Sequence, residues 1–423
     1  TRHRARNHPR IPLTPALVCQ AFGSLKPGTS YGPFCDFTDT LKSYGLSAPD
    51  QSNNQSRLKT LTNILSLILN NEIPTCISTL LAFCRFLALH KDPDDLDKLR
   101  PIGIGTAWRR LASAILAVIY SDTFAEYLLP SGQLGLTIRA GLDFPVHTPN
   151  CQLAAFISQP LASNLPPDRA GIFVDLVNCW NQMSREEALD VLESEPRFHS
   201  LVHYFDLMYE NPNRCFFHRP DGSLDFFIQE DGFPQGDPLS PALACLVINR
   251  ILGPINAMLE KRAQARRTTH QRGDDGCGSK SAAHAYFDDA FAFLPYDDLP
   301  IFIETFQRLG PPIGIILNKT KTKILTLPTT HATITTLTTP QLTSLQQVHP
   351  LLNGPTSEIT AGFRLLGQLL VSQAFCTAFL HSAALTFPLA PKPLPQRLTT
   401  PHPIAPPPTL LPPPPTPHPP PPP

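Results

Sequence analysis

The chain has 423 residues, 42% of them hydrophobic, which is enough for one large multi-lobed enzyme or for two or three domains. Lys and Arg balance Asp and Glu at 34 each, so net charge points to no polyanionic partner, although local basic patches can still bind nucleic acid. The ten cysteines show no C-x-x-C and no paired Cys/His spacing, which argues against zinc and disulfides and favours an intracellular, cytoplasmic or nuclear compartment.

The first part of the chain is predicted to be loose and then helical. Residues 1–57 are rich in Pro, Ser, Asn and Gln with poor periodicity, so we expect a loosely ordered segment. The chain starts at Thr1 instead of methionine, as a fragment would. The apolar stretch Leu61 to Leu89 is interrupted by charged residues and Pro74, and predicts two packed helices and no membrane span. Helical spacing is also present over residues 106–128.

Strand-like and helical stretches alternate between residues 169 and 327, which predicts an α+β body. The predicted elements are a strand in GIFVDL (171–176), a helix in ALACLVINRIL (242–252), and a turn with a strand in ILNKTKTKIL (316–325). A polar insert, basic and then Gly-rich, covers residues 261–284.

The composition changes after residue 387. Proline makes up 19 of the residues from 388 to 423, so this tail cannot bury a core. We expect extended polyproline II without fixed structure. Such a tail suits SH3- or WW-type partners, and the alternative is a degenerate or frame-shifted end.

Four Asp-Asp pairs occur, and three of them lack a strand pattern around them. Asp94-Asp95 lies in a charged stretch beside a proline, which predicts a solvated loop or a helix start. Asp274-Asp275 lies between glycines and predicts a flexible turn. Asp297-Asp298 is bracketed by Pro295 and Pro300 and predicts a loop.

The pair Asp288-Asp289 differs because AHAY precedes it and AFAFL follows it, both in strand-like alternation. A tight turn would hold both carboxylates on a hairpin tip, where they repel each other unless a cation is present. The alternative is a plain hairpin with Asp in its turn.

Asp175 ends the predicted strand GIFVDL, and on a neighbouring strand it would complete a three-carboxylate site. Mg²⁺ prefers such oxygen ligands and shares them with substrate phosphates. The alternative role of Asp175 is a helix cap. The loop GFPQGDPLSP (232–241) contains two glycines that permit close backbone approach to a nucleotide, or it forms an ordinary Pro-Gly turn.

These motifs together resemble a known family. RPIGIGTAWRRLASAIL, VDLVNCW, GFPQGDPLSP, YFDD, LGPPIGIILNKTKTKIL and FRLLGQLL occur in the order of the motifs of reverse transcriptases, most like those of non-LTR retrotransposons. The resemblance covers residues 58 to 370.

The resemblance implies metal-binding and nucleotide-binding roles. Asp175, Asp288 and Asp289 would be the catalytic carboxylates for two Mg²⁺ ions, with Mn²⁺ as a substitute, and Tyr286 and Phe287 would belong to their hairpin. Lys91 and Arg100 would meet the triphosphate, Gln235 and Gly236 the templating pair, and Lys321 the leaving pyrophosphate. Leu366-Gly367 would hold the primer terminus.

The family places an aromatic residue at the position of Trp180 to exclude a ribose 2′-hydroxyl. Trp is larger than the usual Phe or Tyr, so it either keeps sugar discrimination or partly blocks the pocket; alternatively it turns into the core. In the insert, Lys261, Arg262, Arg266 and Arg267 suit a nucleic-acid backbone, with a solvated loop as the alternative.

The implied fold is an α+β right-hand polymerase with helical fingers, an antiparallel palm sheet backed by helices, and a truncated thumb. The expected boundaries are fingers 58–165, palm 166–345, primer grip and thumb remnant 346–387, and tail 388–423. The implied activity is DNA synthesis from dNTPs on an RNA template with a DNA primer. The alternatives are an inactive retroelement remnant that binds nucleic acid, and a viral-type RNA-dependent RNA polymerase.

Overall fold

The computed structural model describes the chain in segments that cover most of the sequence up to residue 371. These are residues 8–46, 51–92, 95–136, 169–210, 213–219, 221–269, 282–325, 339–352, 359–360, 362–365 and 368–371. The tail 388–423, the pair Asp274-Asp275, and Leu366-Gly367 lie outside the described residues, as do the side chains of Lys91 and Arg267.

Helices occupy much of the described chain. Their bounds are Pro15–Ser24, Thr38–Leu46, Gln51–Leu69, Thr75–Leu81, Ala107–Ile119, Ser121–Leu128, Cys179–Gln182, Arg185–Ser194, Leu201–Tyr209, Ser240–Thr269, Leu299–Leu309 and Thr339–Leu352. Local caps explain several starts: the hydroxyl of Thr106 accepts from the backbone N–H of Arg109, and Ser184 does the same for Glu187.

The expectation of a loose N-terminal segment is wrong for residues 8–46. Helix Pro15–Ser24 begins after the cap Thr14 with proline in its first turn, and it buries Val18 and Phe22 in the core. The apolar spacing of this short helix was obscured by the prolines and polar residues around it. The N-terminal residues are therefore part of the folded body.

A five-stranded sheet carries the residues of most interest. Its order is β6-β7-β3-β8-β9, with strands β3 (Arg169–Val174), β6 (Ala283–Tyr286), β7 (Asp289–Pro295), β8 (Lys323–Leu325) and β9 (Ile359–Thr360). All pairings are antiparallel except β8 with β9. Strand β3 is central, and Ala170, Ile172 and Val174 are buried, which explains its unbroken apolar run.

A second sheet has four strands in the order β2-β1-β4-β5. Its members are β1 (Cys84–Asp92), β2 (Asp95–Gly105), β4 (Asn213–His218) and β5 (Leu224–Gln229). β1 pairs antiparallel with β2 and parallel with β4. The apolar stretch Leu61 to Leu89 thus contains two helices, as predicted, but ends in a strand. A separate hairpin joins β10 (Gly362–Leu365) and β11 (Gln368–Val371).

The helix Ser240–Thr269, here called the long helix, extends well beyond the predicted 242–252 and takes in the first part of the polar insert. Its Asn256 side chain bonds the backbone of Ala283 in β6. The segment Ser240–Arg266 is long and apolar enough to cross a membrane by length and composition alone, but most of its apolar window is buried inside the protein. It packs as a core helix against the five-stranded sheet.

The predicted loop at Asp297-Asp298 is also wrong. These residues form a 3-10 turn, Tyr296–Asp298, that leads into helix Leu299–Leu309, and Asp298 is fully buried. Its carboxylate pairs with Arg262 at 2.5 Å and with Arg266 at 2.6 Å, both from the long helix. The buried charge is therefore compensated by two guanidinium groups that the sequence places 32 and 36 residues away.

Candidate active site

The hairpin of β6 and β7 forms as predicted, with Tyr286 opposite Asp289 and a two-residue turn of Phe287 and Asp288. Phe287 adopts a left-handed backbone conformation, with φ at 55°. That region is uncommon for a bulky residue, and it marks a turn whose shape is imposed by its surroundings. Asp288 therefore projects from a turn that is held in one conformation.

Asp175 follows β3 directly beside this hairpin, because Val174 is the register partner of Ala290 at the start of β7. The Oδ2 atom of Asp175 accepts a hydrogen bond of 3.0 Å from Nδ2 of Asn318 and lies 3.9 Å from Nζ of Lys321. The backbone N–H of Asn318 also donates to the carbonyl of Asp175 at 2.8 Å. The turn before β8 thus orients the carboxylate.

Asp175 and Asp288 line the same cavity of about 1180 Å³. Most of the other residues expected at a nucleotide site lie on its walls as well, namely Arg100, Trp180, Gln235, Gly236 and Lys321. Asp289, Tyr286 and Phe287 are not part of the lining. The cavity therefore brings together seven positions that the sequence spreads over residues 100 to 321.

The expected site of three carboxylates is not formed in this structure. In the part of the chain that the structure describes, no group of three or more His, Cys, Asp or Glu is placed to hold a metal ion. Asp289 is the first residue of β7 and is paired with Tyr286, whereas Asp288 lies in the turn, and of the two residues Asp288 lines the cavity. Asp175 and Asp288 line the cavity together with Asp237, whose carboxylate is paired with the buried Arg109.

Asp288 also affects two buried thiols. Burial, and secondarily the charge of Asp288, raises the pKa of both Cys179 and Cys245. Both thiols are therefore neutral at physiological pH, and neither adds a charge near the carboxylate.

Three cations line the cavity with these carboxylates. Arg100 comes from β2, Lys321 from the turn before β8, and Lys26 from the segment after helix Pro15–Ser24. Lys26 was missed by sequence reasoning because the segment around it was expected to be loose. A cavity with carboxylates and exposed cations suits a ligand that carries phosphates.

The loop GFPQGDPLSP closes another side of the cavity and needs its glycines. A Cβ on Gly232, whose φ is 76°, would lie 2.4 Å from the backbone of Asn181, and one on Gly236 would lie 2.7 Å from the carbonyl of Gly103. The N–H of Phe233 donates to the carbonyl of Trp180 at 2.7 Å. The loop is therefore packed tightly between β2 and the segment that carries Trp180.

Trp180 is half-buried and lines the cavity, with its ring 6.4 Å from that of Phe287. Its side chain also packs against the hydrophobic core. The indole thus occupies both environments that the sequence left open, with one edge in the core and one at the cavity.

Sequence reasoning missed a buried ion pair that joins helix Ala107–Ile119 to the loop GFPQGDPLSP. Nε of Arg109 lies 2.7 Å from Oδ2 of Asp237, and both side chains are at most 2% exposed. The same guanidinium donates to the carbonyl of Ala82 at 3.0 Å and to the hydroxyl of Tyr209 at 3.1 Å. Burial raises the pKa of Tyr209 to about 12, so it stays a neutral acceptor.

The prediction that the basic residues of the insert bind a nucleic-acid backbone is wrong for two of them. Arg262 and Arg266 are committed to the buried carboxylate of Asp298 and lie on the long helix, so they serve the fold. Lys261 is exposed on the same helix. For Arg267, Lys91, Leu366 and Gly367, the expected roles remain predictions, because their side chains lie outside the described residues.

Comparison with known proteins identifies the family of this chain. Residues 90–368 match the family model described as reverse transcriptase (RNA-dependent DNA polymerase). No match was found among curated proteins.

Two solved structures of apo telomerase from Candida tropicalis resemble the chain. The one truncated from its C-terminal domain is 11% identical, with a TM-score of 0.38 over 60% of this chain and 51% of that chain. The other is 10% identical, with a TM-score of 0.39 over 58% and 44%. The match thus spans about half the length of the telomerase chains.

The family match covers well over half of the 423 residues and contains every described residue of the cavity except Lys26. The match begins at residue 90, in β1, and ends at residue 368, the first residue of β11. The chain belongs to the reverse transcriptase family.

Proposed function

We propose that this chain catalyses template-directed DNA synthesis from dNTPs on an RNA template. The observation that carries the proposal is the position of Asp175 and Asp288 at the ends of adjacent strands, facing one cavity that Arg100 and Lys321 also line. Nucleotidyl transfer needs carboxylates near the reacting phosphate and cations around the rest of the triphosphate.

The donor set fits a divalent cation. Mg²⁺ is usually bound by one or two carboxylates together with water and substrate phosphates, so Asp175 and Asp288 suffice as protein ligands. When bound, one or two Mg²⁺ or Mn²⁺ ions would activate the primer 3′-hydroxyl and neutralise charge on the phosphates. Asn318 keeps the Asp175 carboxylate oriented through its 3.0 Å hydrogen bond.

The cations of the cavity have separate tasks in this proposal. Arg100 and Lys26 bind the outer phosphates, since guanidinium and ammonium groups pair well with phosphate oxygens. Lys321 lies 3.9 Å from Asp175 and can donate a proton to the leaving pyrophosphate. The loop at Gln235 and Gly236 supports the base pair that forms between template and incoming nucleotide.

The wider context of the proposal is a retrotransposon of the non-LTR type, supported by the order of the motifs. In that reading the five-stranded sheet and the long helix form the palm, the four-stranded sheet and the helices before it form the fingers, and residues 346–387 contain the primer grip and thumb remnant. An intracellular location fits the free cysteines of the described chain.

The test is extension of a labelled DNA primer on RNA templates by the full chain with Mg²⁺. Incorporation of the dNTP complementary to the template base, and no other, would support the proposal. Equal or better use of rNTPs would favour an RNA-dependent RNA polymerase. Salt-dependent RNA binding by a folded protein without any extension would favour a non-catalytic remnant.

A further inference from the structure

We propose that Gln133 is a positioning residue that sets the place of Asp288 by holding the backbone of Phe287. Its side chain is fully buried. Oε1 accepts hydrogen bonds from the N–H of Phe287 at 3.0 Å and from the N–H of Gly135 at 3.1 Å. Nε2 donates to the carbonyl of Phe287 at 3.1 Å. One amide therefore satisfies both backbone groups of the turn residue.

The main chain of residues 132–135, here called the brace, runs alongside β6. The N–H of Leu134 donates to the carbonyl of Ala285 at 2.7 Å, and the N–H of Ala285 donates to the carbonyl of Gly132 at 2.9 Å. Gln133 thus pairs in parallel with Ala285 as an added bridge beside the hairpin. The brace connects the end of helix Ser121–Leu128 to a turn 154 residues later in the chain.

Gly135 allows this brace to approach the turn. A Cβ at that position would lie 2.8 Å from the backbone nitrogen of Phe287 and 3.0 Å from its ring. Gly132 has φ at 91°, and a Cβ there would lie 2.4 Å from the carbonyl of Ala283. The two glycines on either side of Gln133 and Leu134 therefore both allow the brace to lie close to the hairpin.

The brace matters because the turn is strained. A phenylalanine with φ at 55° leaves that conformation unless its surroundings hold it there. Asp288 is the next residue, so relaxation of Phe287 would move its carboxylate relative to Asp175. The pairing of Tyr286 with Asp289 would survive, since it belongs to the strands. Loss of Gln133 would then displace the carboxylate and keep the fold.

The inference rests on the proposed function in that Asp288 is taken as a metal ligand. The test therefore begins with a readout that needs no catalysis. Tb³⁺ occupies oxygen-ligand sites, and its luminescence is sensitised by a nearby indole. In a Trp108→Phe background of the full chain, Trp180 is the one remaining tryptophan, and it lines the cavity with Asp175 and Asp288. The part of the Tb³⁺ luminescence that Asp288→Asn abolishes measures Tb³⁺ binding at this site.

Three variants make the test specific. Gln133→Met keeps the length of the side chain and removes its hydrogen bonds, and Gly135→Ala presses on Phe287 from the same side. Asn256→Leu is the matched control, because Asn256 braces the same strand through Ser131 and Ala283, away from the turn. Circular dichroism and thermal unfolding establish which variants fold, and Gly135→Ala replaces Gln133→Met if the latter does not.

We expect Gln133→Met and Gly135→Ala to weaken Tb³⁺ binding by about 10- to 100-fold, and Asn256→Leu to leave it unchanged. In single-nucleotide extension, kcat should fall by about the same factor with KM for primer-template unchanged. Wild-type Tb³⁺ affinity in a folded Gln133→Met protein would overturn the inference. So would an equal loss in Asn256→Leu, or no Asp288-dependent signal in the parent. If the Tb³⁺ pattern appears but the parent extends no primer, the proposed function fails and the positioning role stands.

Discussion

At the scale of single residues, the proposed function predicts that Trp180 limits the space that the cavity offers to a sugar. It lines the same cavity as Asp175 and Asp288, and its side chain also packs against the hydrophobic core, which limits its movement. An indole there would exclude a ribose 2′-hydroxyl by its bulk.

We therefore expect Trp180→Ala to raise the rNTP-to-dNTP ratio of kcat/KM by about 10- to 100-fold, the range that steric discrimination of one small group provides. Single-nucleotide incorporation with matched dNTP and rNTP measures it. Trp108→Phe serves as a control, since Trp108 does not line the cavity. An unchanged ratio in Trp180→Ala would show that the indole serves the core alone.

At the scale of secondary-structure elements, the Arg109–Asp237 pair joins helix Ala107–Ile119 to the loop before the long helix. Asp237→Asn would leave the Arg109 charge buried without its counterion, which destabilises proteins by about 3–5 kcal/mol. The free energy of unfolding in urea measures this.

The comparison is Glu187→Gln, which breaks the half-exposed pair of Arg250 and Glu187 at 3.1 Å. Exposed pairs contribute about 0–1 kcal/mol, so this variant should be nearly neutral. Equal effects of the two substitutions would mean that the buried pair does not hold the loop.

The contact between the long helix and helix Leu299–Leu309 should depend on pH through Asp298. Burial by itself would raise the pKa of this carboxyl, but the hydrogen bonds and charges of Arg266 and Arg262 outweigh it and hold the pKa below its ordinary value of 3.8. A lowered pKa in the folded state means that the pair stabilises the fold above pH 3.8. That stabilisation is lost as the pH falls through the lowered pKa.

We expect Asp298→Asn to destabilise the protein by about 1–2 kcal/mol at pH 7, a range reduced because both arginines are more than a third exposed. The difference from the parent should shrink as pH drops below 3.8. Urea unfolding at a series of pH values measures it, and a difference that is constant with pH would contradict the assigned role.

At the scale of the whole molecule, the sequence predicted the parts whose signals are local. The alternation around Asp288 and the apolar run before Asp175 indicated the hairpin and the central strand, and both are confirmed. Side chains that act over long separations left no local signal. Gln133 bonds a turn 154 residues away, and Arg109 pairs with Asp237 across 128 residues.

The errors have the same physical origin. Arg262 and Arg266 looked like a solvated basic run because their buried partner, Asp298, looked like part of a loop. The three-carboxylate site was expected from the family resemblance and from a hairpin tip that would hold Asp288 and Asp289 together, but Asp288 lies in the turn and lines the cavity, whereas Asp289 begins β7 and does not.

The most direct test of the central claim is single-nucleotide extension by the full chain, compared with Asp175→Asn and Asp288→Asn. Asp221→Asn, in an exposed turn, is the control. The account predicts extension by the parent and the control, and a loss of more than about 100-fold in both cavity variants, because metal-bound carboxylates stabilise the transition state by several kcal/mol. Extension that survives both substitutions in folded protein would contradict the assignment of Asp175 and Asp288 as the site of chemistry.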